Sequence, residues 1–260
     1  MLALAYLRKS SGFSIRFVFA KLVDETRNEI IHKHVTCHWM KLIIFDIDGT
    51  ILDSVNADDK CFIKTFKDLY QIDLTNVDWN DFTNVTDTGL TIEIFEKWFN
   101  RKPKKEEIEN IKVYFKSLLE DYTQQFVEIE KSLFFIELAS IKTDFEIGFA
   151  TGGWKETAEL KCNSVGLNLN DYIFKSSNDH YNRGKIIEFV IIEALKKHKI
   201  KKFESITYFG DGLWDFKTTK KLEIDFVGVD LKNDGRLINN GAKKVISNFT
   251  DSEKIFNMIN

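Results

Sequence analysis

Two aspartates, Asp46 and Asp48, follow directly on the most hydrophobic short run of the sequence, the segment 42–45. Burying an ionised carboxylate without a partner costs several kcal/mol or more, so two acids at this place need an explanation. Neighbouring carboxylates repel each other and raise each other's pKa unless a cation neutralises them. Ligands that are all oxygen favour Mg²⁺, which binds carboxylates together with a substrate phosphate. These residues therefore predict chemistry beside a Mg²⁺ ion.

Further residues could also take part in chemistry. They stand at the ends of other hydrophobic runs or at the start of a helix-like segment. They are Thr151, Gly152, Gly153, Arg183, Lys185, Asp211 and Asp215. Each has a plainer explanation on its own: glycine and aspartate are common in turns, a threonine can simply end a strand, and a cation in a first helical turn is usually solvated. Ligands of open parallel sheets bind at the carboxyl ends of the strands. If the runs are parallel strands, all of these groups converge on one rim.

The chain from Met40 onward alternates between strand-like and helix-like patterns. Apolar runs typical of buried strands lie at 42–46, 145–150, 172–174, 205–209 and 225–229, with a candidate edge strand at 243–249. Helical patterns lie at 154–165, 184–198 and 213–222. This alternation predicts βαβ units, and hence an α/β fold in which helices cover both faces of a parallel sheet.

The long segment between the first two strands is the exception, because it reads as consecutive amphipathic helices. We predict a helical cap over 55–136, inserted into an α/β core formed by 40–54 and 137–260. Residues 1–39 look unlike the rest and are expected to be an extension, which an upstream start codon would explain. The histidines and the cysteine near its end match no standard zinc spacing, so a solvated tail is the plainer expectation there.

The composition of the chain argues against some classes of binding partner. The chain has 260 residues and a net charge of −3, and acidic and basic residues alternate almost throughout, so we expect neither nucleic acid nor a membrane surface as a partner. Cys37, Cys61 and Cys162 are odd in number and far apart, which predicts no disulfide framework. No apolar run approaches the length of a membrane span. The expected location is cytoplasmic, as a monomer or a homodimer.

The order of the motifs resembles a known family. FDIDGT, then ATGG, then an arginine or lysine, then GDGLWD resemble the motifs of the haloacid dehalogenase superfamily of phosphotransferases, over residues 40 to about 230. The resemblance implies a Rossmann-like core. A helical insertion directly after the first motif is similar to the branch that includes phosphoglycolate phosphatases and β-phosphoglucomutases.

By this resemblance, Asp46 is the nucleophile that attacks phosphorus and forms an aspartyl-phosphate. A carboxylate is a competent nucleophile, and a covalent intermediate splits one difficult step into two. Asp48 resembles the general acid/base, and its backbone carbonyl resembles the family's usual metal ligand. Because Asp48 lies two residues further along an extended run, it projects to the same side as Asp46.

The later motifs resemble the groups that hold the phosphoryl group and the ion. The hydroxyl of Thr151 resembles the phosphoryl-binding group, with the backbone N–H groups of Gly152 and Gly153 as helpers. Asp211 and Asp215 resemble the acids that complete the Mg²⁺ site. Four residues apart at a helix start, these two acids fall on one side.

The third motif of the family is a single cation, and the segment NRGK offers two. If a helix begins near Asn182, Arg183 and Lys185 point in different directions and only one reaches the phosphate. The geometry of a single point charge favours Lys185. An R-x-x-I pattern, ending at Ile186, favours Arg183 instead. The sequence leaves both open.

A phosphatase that hydrolyses a small phosphorylated metabolite is the leading prediction for function. A second acid such as Asp48 argues against dehalogenase chemistry, which needs no protonation of an oxygen leaving group. A sugar-phosphate mutase and a phosphonatase are the alternatives, although the segment 54–62 lacks the histidine that β-phosphoglucomutases carry there. A non-catalytic binding protein on the same scaffold is a further alternative, but such proteins usually lose a motif residue.

Substrate choice is expected to come from the cap, which closes over the site. The polar stretch NVTDTGLT places Thr86, Asp87 and Thr88 in a predicted loop that faces the active site and binds substrate. The plainer alternative is a helix N-cap formed by Asp87 or Thr88. Trp214 either packs under the metal loop or lines the pocket.

Overall fold

The computed structural model describes residues 40–259. The predicted extension at 1–39 and its histidines lie outside the described residues. In chain order, the strands are β1 (Lys41–Phe45), β2 (Leu52–Asp53), β3 (Val127–Glu128), β4 (Phe145–Ala150), β5 (Ile173–Lys175), β6 (Ile206–Gly210), β7 (Asp225–Val229) and β8 (Val245–Ile246). The helices are α1 (Val55–Tyr70), α2 (Asp87–Phe99), α3 (Lys105–Glu120), α4 (Ser132–Ser140), α5 (Lys155–Ser164), α6 (Arg183–His198), α7 (Leu213–Leu222), α8 (Arg236–Asn239) and α9 (Ser252–Ile259).

Six of these strands form one parallel sheet in the order β5-β4-β1-β6-β7-β8. Strand β1 lies at the centre, where helices cover both faces, which explains why its apolar residues run on without alternation. Phe45 pairs in register with Phe149 of β4 and Phe209 of β6. The ends of these three strands are therefore level, and the residues that follow them meet at one rim.

Helices cover the two faces of the sheet through separate apolar clusters. Phe135 of α4 and Ala158 of α5 pack with Phe45 and Phe149 on one face. The other face carries a second cluster, formed by Leu42, Ile44, Ile173, Ile186, Ile187, Val190, Ala194 and Tyr208 with their neighbours. This arrangement confirms the predicted α/β fold, a Rossmann-like parallel sheet flanked by helices.

Helices α1, α2 and α3 form an insertion between β2 and β3, and we call residues 54–126 the helical insertion. It has its own aromatic core, in which the ring of Phe62 lies 5.0 Å from Phe66 and 5.6 Å from Phe115. Trp154 joins this core from the sheet side, with its ring 5.9 Å from Phe115. The insertion is therefore packed against the loop that follows β4.

The antiparallel pair β2–β3 marks where the chain leaves the sheet domain and returns to it, with Leu52 opposite Glu128. The predicted boundary at 136 falls within α4, and this helix packs on the sheet through Phe135 and Ile136. The sequence pattern does not indicate that helix, because its apolar residues include the exposed Phe134 as well as the buried Phe135 and Ile136, so hydrophobicity does not separate the two faces. No helix among residues 40–259 is both long and apolar enough to cross a membrane.

Candidate active site

Asp46 lies immediately after β1, and its backbone N–H donates to the carbonyl of Phe209 at 2.9 Å. One carboxylate oxygen, Oδ2, lies 3.1 Å from Nη1 of Arg183. The other, Oδ1, is buried and has no hydrogen-bond partner among the described residues. Burial raises the pKa of Asp46 to about 7; Arg183 opposes this shift, and the nearby carboxylate of Asp215 adds to it. The unpartnered oxygen is thus available to a ligand.

Arg183 is the first residue of α6, which begins after the N-cap Asn182. Its Nη1 also lies 2.9 Å from Oδ1 of Asp215 and 3.3 Å from the hydroxyl of Tyr208. Its Nη2 donates to the carbonyl of Val85 in the helical insertion, at 3.0 Å. One buried guanidinium therefore contacts two acids of the rim and the insertion.

Lys185 does not reach the rim. Its ammonium pairs with Glu188 at 2.7 Å on the outside of α6, and its side chain is 53% exposed. Because the helix begins at Arg183, residues 183 and 185 project from different sides of the first turn. The point-charge argument that favoured Lys185 fails on this geometry, and Arg183 is the cation that the fold brings to Asp46.

Asp46, Asp211 and Asp215 bring one carboxylate oxygen each to within 4.8 Å of one another. Gly49, with a φ of +72°, leaves room for this group, since a Cβ there would lie 2.4 Å from Oδ2 of Asp211. Desolvation raises the pKa of Asp211, and the charges of Asp215 and Asp46 raise it further. The buried, unpartnered Oδ1 of Asp46 belongs to the same trio. These residues fit a hard divalent cation with oxygen ligands.

The carboxylate of Asp48 lies apart from this trio, on the side that faces the helical insertion. Ser54 donates to its Oδ1 at 2.5 Å, and Lys161 donates to its Oδ2 at 2.7 Å. The same Lys161 ammonium lies 2.5 Å from Oδ1 of Asp58 in the first turn of α1. Both oxygens of the predicted acid/base are therefore held in place.

Sequence reasoning missed Lys161, because a lysine in the segment KETAELKCNS resembles an ordinary surface residue. Its burial becomes visible only in the fold. Lys161 lies four residues after Thr157 and three after Ala158, and both of those are buried. Tyr208 was missed for a similar reason, since a tyrosine in a strand reads as core; its hydroxyl donates to the carbonyl of Ala150 at 3.0 Å.

The turn after β4 is compact around Thr151. The backbone N–H of Gly153 donates to Oγ1 of Thr151 at 3.1 Å. A Cβ on Gly152 would lie 2.2 Å from Nη2 of Arg183, so only glycine allows the guanidinium to pack against this turn. The predicted phosphoryl-binding turn and the predicted cation are thus in direct contact.

The segment 85–88 of the helical insertion binds the loops of the sheet domain. Oγ1 of Thr86 donates to the carbonyl of Tyr181 at 2.6 Å, and the N–H of Asp87 donates to the carbonyl of Gly152 at 2.8 Å. Oδ2 of Asp87 accepts from the N–H of Trp154 at 2.8 Å. Desolvation raises the pKa of Asp87 well above its ordinary value.

Thr88 completes these contacts. Its N–H donates to Oγ of Ser177 at 2.8 Å, and its Oγ1 accepts from the indole N–H of Trp154 at 2.9 Å. The N-cap of α2 is Thr86, whose Oγ1 accepts from the N–H of Gly89, and not Asp87 or Thr88. The polar groups of this segment bond to loops of the sheet domain, and we call the segment 85–88 the latch because it ties the helical insertion to that domain. That this segment also binds substrate stays a prediction.

A cavity of about 680 Å³ lies between the rim and the helical insertion. Asp46, Thr151 and Arg183 line its floor, and Phe62 and Trp79 line it from the insertion. The residues of the sequence-predicted site that line it are Asp46, Asp48, Thr86, Asp87, Thr151, Gly152, Gly153, Arg183, Asp211 and Trp214. Asp215 lies behind this surface, fully buried. The fold therefore brings most of the predicted residues together. Lys185 lies outside the site, and Thr88 does not line the cavity because its hydroxyl bonds to Trp154 and Ser177.

Solved structures that match this chain share its fold with little sequence identity. A hydrolase from Pseudomonas syringae is 22% identical with a TM-score of 0.66, and the match covers 84% of this chain and 98% of that one. CbbY from Rhodobacter sphaeroides, solved in complex with phosphate, is 15% identical with a TM-score of 0.63, over 82% and 96% of the two chains. A candidate β-phosphoglucomutase from Bacteroides vulgatus is 15% identical with a TM-score of 0.63, over 93% and 96%.

No curated protein matches the sequence. Residues 43–229 match the family model described as haloacid dehalogenase-like hydrolase. This match spans most of the chain and includes every motif from Asp46 to Asp215, so the predicted family and the predicted enzyme class, a hydrolase of that family, are confirmed. The chain belongs to the haloacid dehalogenase-like hydrolases.

Proposed function

We propose that this protein is a Mg²⁺-dependent phosphatase that hydrolyses a small phosphorylated metabolite through a phosphoryl group carried on Asp46. The observation that carries the proposal is the setting of this carboxylate. Arg183 contacts its Oδ2, its Oδ1 is buried without a partner among the described residues, and two further acids lie within reach of one ion. A carboxylate held in this way is placed to act as a nucleophile.

Asp46, Asp211 and Asp215 would hold the ion, which supplies charge that offsets the negative charge of the phosphoryl oxygens. Oδ1 or Oδ2 of Asp46 attacks phosphorus, and the bond from phosphorus to the ester oxygen breaks. Asp48 gives a proton to the departing oxygen, so the leaving group departs as an alcohol. Thr151, with the backbone N–H groups of the turn 152–153, holds the transferred group through hydrogen bonds.

Water completes the reaction in the second step. Asp48, now ionised, takes a proton from a water molecule whose oxygen attacks the phosphorus on Asp46. The acyl-phosphate bond breaks, inorganic phosphate leaves, and the carboxylate of Asp46 is restored. Arg183 balances charge at Asp46 throughout, because its guanidinium stays ionised at any working pH.

The helical insertion, residues 54–126, acts in this proposal as a cap, and the β2–β3 pair is its point of attachment. The predicted limit at 136 would include part of α4, which packs on the sheet. A cavity of about 680 Å³ has the size of a small-molecule site. The walls from the insertion, Phe62 and Trp79, are apolar and exclude bulk water from the phosphoryl group. The cap would therefore select the leaving group.

The test is phosphate release from a panel of phosphoglycolate, sugar phosphates and nucleoside monophosphates, with p-nitrophenyl phosphate as a general reporter. We expect release that needs Mg²⁺, is lost on chelation and is absent in Asp46→Asn. Release by Asp46→Asn at the wild-type rate, or none by the wild type, would refute the phosphatase proposal. Isomerisation of a sugar phosphate on addition of its bisphosphate would instead identify a mutase.

A further inference from the structure

Lys161 is a fully buried charge that the proposed chemistry does not use. It lies in α5, its side chain is 0% exposed, and its ammonium contacts the carboxylates of Asp48 and Asp58. Although desolvation lowers the pKa of Lys161, these two carboxylates raise it above its ordinary value. Lys161 therefore stays protonated. Its ammonium lies between Asp48 at the rim of the sheet and Asp58 in the first turn of α1.

Stability alone does not account for a lysine at this position. Its helical neighbours Thr157, Ala158 and Cys162 are buried and uncharged, so both charged partners of Lys161, Asp48 and Asp58, come from other parts of the chain. Buried ion pairs are often no more stabilising than apolar residues of the same volume, because desolvating the charges offsets their attraction. The residue is better explained by what it contacts, which is the acid/base of the proposed reaction.

The carboxylate of Asp48 accepts hydrogen bonds from two parts of the chain, the residue before α1 and helix α5. Ser54, the residue before α1, donates to Oδ1, while Lys161 donates to Oδ2. Asp58, one turn into α1, shares the same ammonium. A carboxylate at a cavity wall can rotate about its side-chain torsions, and these contacts restrict that rotation.

We propose that Lys161 is a positioning residue, which fixes the carboxylate of Asp48 for proton transfer and ties its placement to the first turn of α1 through Asp58. This inference rests on the proposed function. Lys161 lies outside the cavity lining and reaches the cavity only through Asp48 and Asp58, of which Asp48 is the proposed acid/base. The effect of losing it must then depend on how strongly the leaving group needs a proton.

The experiment compares kcat/KM of wild type and Lys161→Met for phenyl phosphate, p-nitrophenyl phosphate and acetyl phosphate in Mg²⁺. Since general acid catalysis contributes about 10²- to 10⁴-fold, we expect a fall of at least about tenfold for phenyl phosphate, a smaller one for p-nitrophenyl phosphate and the smallest for acetyl phosphate. Lys155→Met is the matched control, since Lys155 is exposed on the same helix and pairs with Glu159. It should leave all three values unchanged.

An equal fall for all three substrates in Lys161→Met would overturn the proposal, because a purely structural lysine has no reason to discriminate between leaving groups. Lys161→Met leaves two partly buried acids without a cation, so a variant with Asp58→Asn added removes one of them and protects folding. The double variant should show the same dependence on the leaving group. Loss of that dependence would also count against the proposal.

A second measurement does not depend on turnover. A double-mutant cycle of Lys161→Met and Asp48→Asn in the free energy of unfolding should show coupling between the two residues. If the wild type releases phosphate from none of the three substrates, the phosphatase proposal fails on its own. Coupling in the cycle then still supports the positioning contact, and a cycle without coupling overturns it.

Discussion

Arg183 contacts Asp46 directly, with Nη1 3.1 Å from Oδ2, although 137 residues separate the two in the sequence. The contact arises because α6 begins at Arg183, at the same rim where β1 ends. The same guanidinium reaches Asp215 and the carbonyl of Val85 in the helical insertion. One cation thus links the proposed nucleophile, the proposed metal site and the insertion.

The first prediction separates the two candidate cations. Arg183→Met should lower kcat/KM for p-nitrophenyl phosphate by about 10²- to 10³-fold, the usual loss when one charge-stabilising donor is removed. Lys185→Met should leave it unchanged, because Lys185 pairs with Glu188 on the outer side of α6. Steady-state kinetics of the two purified variants make the comparison. A larger loss in Lys185→Met than in Arg183→Met would show that the phosphate is held elsewhere.

The second prediction concerns Mg²⁺ and pH. The pKa of Asp46 is raised to about 7 in the folded protein, so the folded state without metal retains a proton there at pH values where the unfolded chain has lost it. Mg²⁺ binds the ionised carboxylate. At pH values below about 7, Mg²⁺ must therefore displace the proton that Asp46 holds, and this competition weakens its binding. The rise in melting temperature on adding Mg²⁺ should therefore be larger at about pH 8 than at about pH 6.

Thermal unfolding with and without Mg²⁺ at the two pH values makes this measurement. Asp46→Asn is the control, since an amide does not titrate, and it should lose most of the pH dependence. A rise in melting temperature that is equal at both pH values, or larger at the lower one, would contradict the assignment of Asp46 to the ion.

The third prediction concerns the latch formed by the segment 85–88. Thr88→Val keeps the shape of the side chain but leaves the buried indole N–H of Trp154 without its acceptor. The free energy of unfolding should fall by about 1–3 kcal/mol, the cost of an unsatisfied buried donor. Thr250→Val is the matched control, because its hydroxyl bonds to Asn248 on an exposed turn. Equal changes in the two variants, measured by denaturant unfolding, would rule out the latch.

Much of the site could be predicted because strand ends are visible in the sequence. Asp46 and Thr151 each follow a continuous apolar run, and parallel pairing of those runs places their ends at one rim. The choice between Arg183 and Lys185 could not be predicted, since it depends on the residue at which α6 begins. The side chain of Asn182 caps this helix, and the residue types in NRGK do not indicate which side of the first turn faces the rim.

Lys161 and α4 could not be predicted for a different reason, which is that their environment comes from distant parts of the chain. Lys161 is buried because α1 supplies Asp58 from 103 residues away and the rim supplies Asp48 from 113 residues away. Helix α4 buries Phe135 and Ile136 against the sheet while Phe134 of the same helix stays exposed, so hydrophobicity alone does not identify its buried face.

The measurement that tests the account most directly is the site of phosphorylation. Wild-type protein mixed with acetyl phosphate and Mg²⁺, quenched in acid and analysed by mass spectrometry, should carry one phosphoryl group on Asp46. Asp48→Asn should accumulate it, because Asp48 activates the water that removes it, and Asp46→Asn should carry none. A phosphoryl group on another residue, or one that persists unchanged in Asp46→Asn, would contradict the account.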